Sequence, residues 1–224
     1  MVKLEKQKIP LSVEIYADDF IKSAEKAFDC ASGGKSEFYP WKKPQLPTDF
    51  RIGIIVGSSG SGKSTLLKEF GTEETPIWFP EKAIISHFKN PNDAINRLTS
   101  VGLNSVPSWY KPYHVLSNGE KFRADLARKV MNGAVIDEFT SVVDRNVAKA
   151  ASVALSRYVK QHNIKNIVLS TCHRDILEWL EPDWVIDTDL GEYTEGFFLL
   201  DQKSKLIFTE PTKKYGECLK TIII

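Results

Sequence analysis

The apolar positions of the chain change their period several times, and each change marks an element. In residues 10–17, PLSVEIYA, Leu11, Val13 and Ile15 alternate with polar residues, which predicts a strand. In DDFIKSAEKAF, Phe20, Ile21, Ala24, Ala27 and Phe28 fall at helical spacing. CASGGKSEFYPWKKPQLPTD, broken by Gly33, Gly34 and three prolines, reads as a loop. RIGIIVG is a continuous apolar run closed by glycine, as in a strand buried on both faces. STLLKEFG predicts a short helix with Leu66, Leu67 and Phe70 inward and Gly71 as its stop. PIWF and AIISHF read as short strands separated by Pro80, and residues 89–114 are mixed, ending in a stretch too rich in proline for a long helix.

From Ser117 to Met131, Phe122, Leu126, Ala127, Val130 and Met131 mark one helix face. AVID predicts a buried strand, and Val147, Ala151, Ala154, Leu155 and Tyr158 mark another helix. NIVLST, DWVIDT, GFFLLD and KLIFTE predict further strands, the last two without a helix between them and so suited to an edge hairpin. Strands alternating with helices predict an α/β fold with a largely parallel central sheet.

Composition narrows the function classes. Hydrophobic residues make up 42% and charged residues 26% of the 224, an ordinary globular balance with ample length for a core. A net charge of +1 gives no global argument for nucleic acid or a membrane surface. Cys30, Cys172 and Cys218 are far apart and odd in number, which indicates neither a disulfide framework nor a zinc site. MVKLEKQKIP lacks the apolar core of a signal peptide, and no run approaches a membrane-spanning length, so the expected location is cytoplasmic.

The strand RIGIIV runs into Gly57-Ser58-Ser59-Gly60-Ser61-Gly62-Lys63-Ser64-Thr65, the pattern G-x-x-x-x-G-K-[ST]. Its glycines let several backbone N–H groups point into one concavity, and the helix that follows adds its positive end. Lys63 would reach the β- and γ-phosphates of a nucleotide, and the Ser64 hydroxyl would hold Mg²⁺. A plain glycine-serine linker is the competing reading, but strand before and helix after are what a phosphate loop requires. Val135-Ile136-Asp137-Glu138 closes a second buried strand with two acids. Parallel strands deliver such residues to the ligand crevice, Asp137 beside the metal and Glu138 to polarise or deprotonate the attacking water.

With these placed, the chain resembles the ABC-type ATPases over about residues 50–190. The family's LSGGQ signature reads here Leu116-Ser117-Asn118-Gly119-Glu120, and its SALD loop reads Ser141-Val142-Val143-Asp144. The histidine after its next strand is His173 in VLSTCH. VLSNGEKFRADLAR, DEFTSVVDR and PSWYKPYH look like a branch of stand-alone phage and bacterial ATPases, fused in some relatives to a GNAT-type acetyltransferase domain. The resemblance implies a P-loop NTPase fold of ABC ATPase type: a mainly parallel sheet with flanking helices, an N-terminal β-containing part (1–48), a core (49–88 and 115–210) and a reduced helical arm (89–114). It also implies hydrolysis of ATP with Mg²⁺ in a head-to-tail homodimer. Ser117, Asn118, Gly119 and Glu120 would cap the nucleotide of the partner subunit, Asp144 would help to join the subunits, and His173 would contact the γ-phosphate.

The chain departs from the family's transporter members. They carry a glutamine between phosphate loop and signature, and none occurs here from Ser64 to Glu120; His87 or Asn90 are candidate replacements, against the plainer reading as surface polar residues. The short arm and the lack of a membrane span argue for a non-transporter role, coupled to an acetyltransferase-like partner or a nucleic-acid process. A transporter subunit and an ATP-gated nucleic-acid-binding module are the alternatives. Tyr39 and Trp41, with Phe38 behind them, are candidates to stack on adenine, or else anchor their loop to the core. PSWYKPYH reads better as a rigid connector than as a single-strand binder, and Lys121, Arg123, Arg128 and Lys129 as a solvated face or a phosphate contact.

Overall fold

The computed structural model describes residues 2–196. Strand β4 (Ile52–Val56) lies at the centre, and all five of its residues are buried. It pairs in parallel with β6 (Ile167–Thr171) on one side and β7 (Trp184–Asp187) on the other, while β5 (Val135–Ile136) extends the parallel part beyond β6. β8 (Glu192–Glu195) turns back antiparallel on β7, and β1 (Val2–Lys3) closes that edge, giving the order β1-β8-β7-β4-β6-β5.

Burial on both faces explains why β4 shows no alternation: Ile54 packs into one core cluster and Ile55 into the other. One face carries α2 (Lys63–Leu67), whose Leu66 and Leu67 pack with Val168, Trp184 and Ile186. The opposite face carries α5 (Asn118–Lys129) and α6 (Arg145–Gln161), with Leu126, Ala151 and Leu155 against Ile52, Ile54 and Leu169. Gly53 is required between them, because a Cβ there would lie 1.9 Å from the ring of the fully buried Trp184.

The N-terminal part adds a separate two-stranded sheet, β2 (Leu11–Glu14) with β3 (Lys35–Phe38), joined through α1 (Asp19–Phe28). β3 falls inside the stretch expected to be a loop. Its ladder partner lies some two dozen residues earlier, so the short polar run KSEF carries no local signal of its own. Leu11 and Val13 lie in a strand as expected but remain exposed.

The expected strands PIWF and AIISHF are not strands: the first has no regular structure and the second forms a 3-10 turn, Ile84–His87, with Ile84 buried. Pro76 and Pro80 lack the N–H that a ladder needs. Residues 89–114 hold α3 (Pro91–Ser100) and α4 (Val106–Trp109), because Pro91 and Pro107 occupy the first turns, where a missing N–H costs nothing. A strand at β8 was not expected. The strand and hairpin expected from GFFLLD and KLIFTE lie, apart from Gly196, outside the described residues. A four-residue α7 (Leu177–Leu180) completes the elements that position the site, and no described helix is long and apolar enough to cross a membrane.

Candidate functional site

Residues 57–65 link β4 to α2 at the carboxyl end of the parallel strands. Gly57, Gly60 and Gly62 have φ of 155°, 78° and 93°, the left-handed range that favours glycine. At Gly62 space decides as well, since a Cβ would come 2.4 Å from the Phe38 ring. Gly62 also caps α2 without any side-chain bond. Within the described residues the N–H groups of Gly60, Gly62, Lys63, Ser64 and Thr65 have no protein acceptor. Two of these donors precede α2 and three lie in its first turn, an arrangement suited to an anion. Lys63 is buried, and its Nζ donates to the Ser58 carbonyl at 2.7 Å.

The loop is braced from both sides. The Trp41 indole N–H donates to the Ser61 carbonyl (3.2 Å), and the Ser61 and Thr188 hydroxyls lie 2.7 Å apart. Ser58 donates its N–H to both Asp189 oxygens (3.0 and 2.9 Å) and its hydroxyl to Asp189 Oδ1 (2.7 Å). Burial pushes the Asp189 carboxyl up, but the bonds from Ser58 and Arg174 outweigh it and hold the group below its ordinary value.

Asp137 and Glu138 follow β5. Ile136 pairs with Leu169, which pairs with Ile54, so Asp137 lies level with Ser170 and Ile55. Two strand spacings, about 10 Å, therefore separate the acidic pair from the strand that feeds the phosphate loop. Asp137 Oδ1 accepts from the Ser170 hydroxyl and from the Glu138 N–H at 2.9 Å. Glu138 and Thr140 have φ of 48° and 70°, unusual for residues with side chains and a form of strain found at functional sites. The Glu138 side chain is exposed, and His173 lies across from Thr140, its Nδ1 at 3.2 Å from the hydroxyl. Burial first, and the Arg145 charge second, lower the His173 pKa.

The signature-like residues lie at the start of α5. Ser117 is the N-cap, forming a capping box with Glu120. The Glu120 carboxylate accepts from the Ser108 hydroxyl (2.5 Å) and from the Ser117 N–H and hydroxyl (both 2.9 Å), which hold it down to about 2. Asn118 is exposed and shares a cleft of about 610 Å³ with Asp137 and Glu138. Gly119 faces Val147 of α6, 3.7 Å from where its Cβ would be. Among the described residues no hydrogen bond joins 117–120 to 57–65. Asp144 caps α6, accepting from Asn146 and Val147 at 2.9 and 3.1 Å. The structure thus gathers 57–65, 137–138 and 173 at one edge of the sheet, and the Ser117 cap is not bonded to the loop of its own chain.

Several sequence candidates have structural work. Trp41 is half-buried against Gly191 and under Lys6, whereas Tyr39 is 43% exposed. Neither proposed glutamine replacement is free. His87 accepts the Phe79 N–H at Nε2 (2.9 Å), with Nδ1 3.0 Å from the Ala83 carbonyl, and Asn90 caps α3. PSWYKPYH is a connector: Trp109 is buried on the Leu103 carbonyl, and Tyr113 donates to Asp125 at 2.6 Å. Two of the four basic residues of α5 are engaged, Lys129 with Glu73 at 2.6 Å and Arg128 with the Ile77 carbonyl and the Trp78 ring. Sequence reasoning missed Thr140, Ser170, Arg174 and Asp189. Ser170 had the one available signal, a polar residue inside the apolar run NIVLST.

No protein-family model matches the sequence, and no curated protein does. Solved structures do. The dimeric structure of MJ0796, a bacterial ABC transporter cassette, is 14% identical with a TM-score of 0.52, over 71% of this chain and 92% of that one. The dimeric structure of a post-hydrolysis state of the ATP-binding cassette MJ0796 bound to ADP and Pi is 14% identical with a TM-score of 0.54, over 87% and 98%. A central, mostly parallel sheet flanked by helices, a glycine loop at its carboxyl edge and this likeness together give the chain the α/β P-loop NTPase fold of the ABC ATPase cassettes.

Proposed function

We propose that the chain binds ATP with Mg²⁺ and hydrolyses it to ADP and phosphate within an ATP-dependent head-to-tail homodimer. The observation that carries this reading is the set of N–H groups at Gly60 and Gly62 to Thr65 that have no acceptor among the described residues, on the same sheet edge as Asp137, Glu138 and His173. Those donors, with Ser58, Ser59 and Ser61 shaping the loop, cradle the phosphates, and Lys63 exchanges the Ser58 carbonyl for phosphate oxygens. The Ser64 hydroxyl and the Asp137 carboxylate are hard oxygen donors suited to Mg²⁺, which binds through one or two protein oxygens plus phosphate and water. Bound there, the metal neutralises phosphate charge. Glu138 takes a proton from the water that attacks the γ-phosphorus as the bond to the ADP oxygen breaks, and His173 Nε2 faces the γ-phosphate.

The capped helix start at Ser117, Asn118 and Gly119 supports the dimer. It has donors for a phosphate but no bond to the loop of its own chain, and the Asp144 turn lies beside it; both MJ0796 structures are dimeric. Glu120 then acts by setting the Ser117 hydroxyl, and Tyr39 offers its ring to adenine. The domain division is 1–48, core 49–88 and 115–210, and arm 89–114. We place the protein in the cytoplasm, in the stand-alone phage and bacterial branch, driving a non-transporter partner of acetyltransferase or nucleic-acid type.

Glu138→Gln tests the reading. Hydrolysis should fall by about 10²- to 10⁴-fold, and an ATP-dependent dimer should accumulate on a sizing column. A variant that releases phosphate at the parental rate removes Glu138 from the mechanism.

A further inference from the structure

Arg174 follows His173 directly, yet its side chain leaves the turn and crosses to the far flank of the phosphate loop. Its guanidinium donates to Asp187 through Nε at 3.2 Å and through Nη2 to both oxygens at 2.8 Å, and Nη2 also reaches Asp189 Oδ2 at 2.9 Å. Asp189 in turn takes the three bonds from Ser58 described above. Asp187 fixes the turn, its Oδ1 accepting from the N–H groups of Asp189 (3.0 Å) and Leu190 (3.1 Å). The Ser58 carbonyl holds the Lys63 ammonium. One bonded chain therefore runs Arg174–Asp189–Ser58–Lys63, from the histidine turn to the phosphate lysine.

We propose that Arg174 and Asp189 form a strut that keeps the phosphate loop in its anion-binding shape and couples filling of that loop to the turn carrying His173. The inference rests on the nucleotide reading above and concerns positioning residues, since neither side chain need touch the nucleotide. Two electrostatic effects compete. A carboxylate near a phosphate site repels the ligand, whereas a carboxylate bonded to both the N–H and the hydroxyl of Ser58 stops the loop from collapsing. The geometry favours the second, because both Asp189 oxygens are taken up by Ser58 and Arg174, and the guanidinium lies between the two carboxylates. The side chains of Arg174 and Asp189 are 41% and 28% exposed, so the strut is partly screened, and the expected effect is about tenfold rather than a hundredfold.

Calorimetric titration with MgATP and MgADP tests this in four proteins: the parent, Asp189→Ala, Arg174→Gln and the double variant. Each single change should raise the Kd for ATP about tenfold. The double variant should be no worse than Asp189→Ala, because both changes break one unit. Arg174→Lys, which keeps the charge, should recover part of the affinity lost in Arg174→Gln. A separate readout tests the coupling: ADP, which has no γ-phosphate, should shift the NMR signals of the His173 ring in the parent and not in Arg174→Gln. Parental affinity in either single variant, losses that multiply in the double variant, tighter binding by Asp189→Ala, or an equal His173 shift in parent and Arg174→Gln each overturn the strut. A parent that binds neither nucleotide overturns the nucleotide reading instead, and the strut with it.

Discussion

His173 Nδ1 lies 3.2 Å from the hydroxyl oxygen of Thr140, which also lies 2.6 Å from the Phe139 carbonyl. Burial and Arg145 hold the ring below its ordinary 6.5. NMR titration of the nucleotide-free protein should give a His173 midpoint below 6.5, rising part of the way back in Arg145→Gln. For stability, a depressed histidine pKa means that the unfolded chain binds the extra proton. His173 thus costs nothing above the unfolded value and subtracts stability as pH falls through it. A midpoint at or above the ordinary value would contradict the depression by burial and Arg145.

Glu120 stands where the resembled signature has glutamine, and its charge is taken up by Ser108 and Ser117. Its folded pKa of about 2 lies below the ordinary 4.5, so its contribution is present above the unfolded value and fades as pH falls toward the folded one. Urea titrations should show parent more stable than Glu120→Gln near neutrality. The gap should narrow from about pH 5 to about pH 2. A gap that does not change with pH would mean that the carboxylate charge adds nothing to the cap.

Tyr39 and Trp41 separate by burial. Tyr39→Ala should weaken ATP binding about tenfold, the worth of one base-aromatic stack, with little change in thermal stability. Trp41→Ala should instead cost about 2 kcal/mol of folding stability, less than a fully buried tryptophan, through lost packing on Gly191 and the lost bond to Ser61. Paired ATP titrations and thermal melts distinguish the two. The reverse pattern would hand the adenine role to Trp41.

The elements with strong periodicity or punctuation were legible in the residues. The run IGIIV, the helix face of Leu126 and Ala127, and the glycine pattern of 57–65 each encode their structure within a few neighbours. The position of Asp137 and Glu138 at the carboxyl edge of the sheet was legible because the buried strand before them fixes where a parallel sheet delivers its ends. Elements that depend on a distant partner were not legible. KSEF becomes β3 only by pairing with β2, and EYTE becomes β8 only by pairing with β7. AIISHF has the composition of a strand but no ladder to join, and buries Ile84 from a 3-10 turn instead. The same division runs through the site. Sequence alone determined the shape of the glycine loop, since glycine φ and a lysine-serine helix start are local properties. Only the tertiary structure decided what surrounds it: Thr140 orienting His173, Trp41 and Asp189 bracing the loop, His87 closed into its own turn. Except in the His87 turn, whose partners are Phe79 and Ala83, those are hydrogen bonds between residues far apart in the chain, and their geometry is set by how strands stack side by side rather than by any period along one strand.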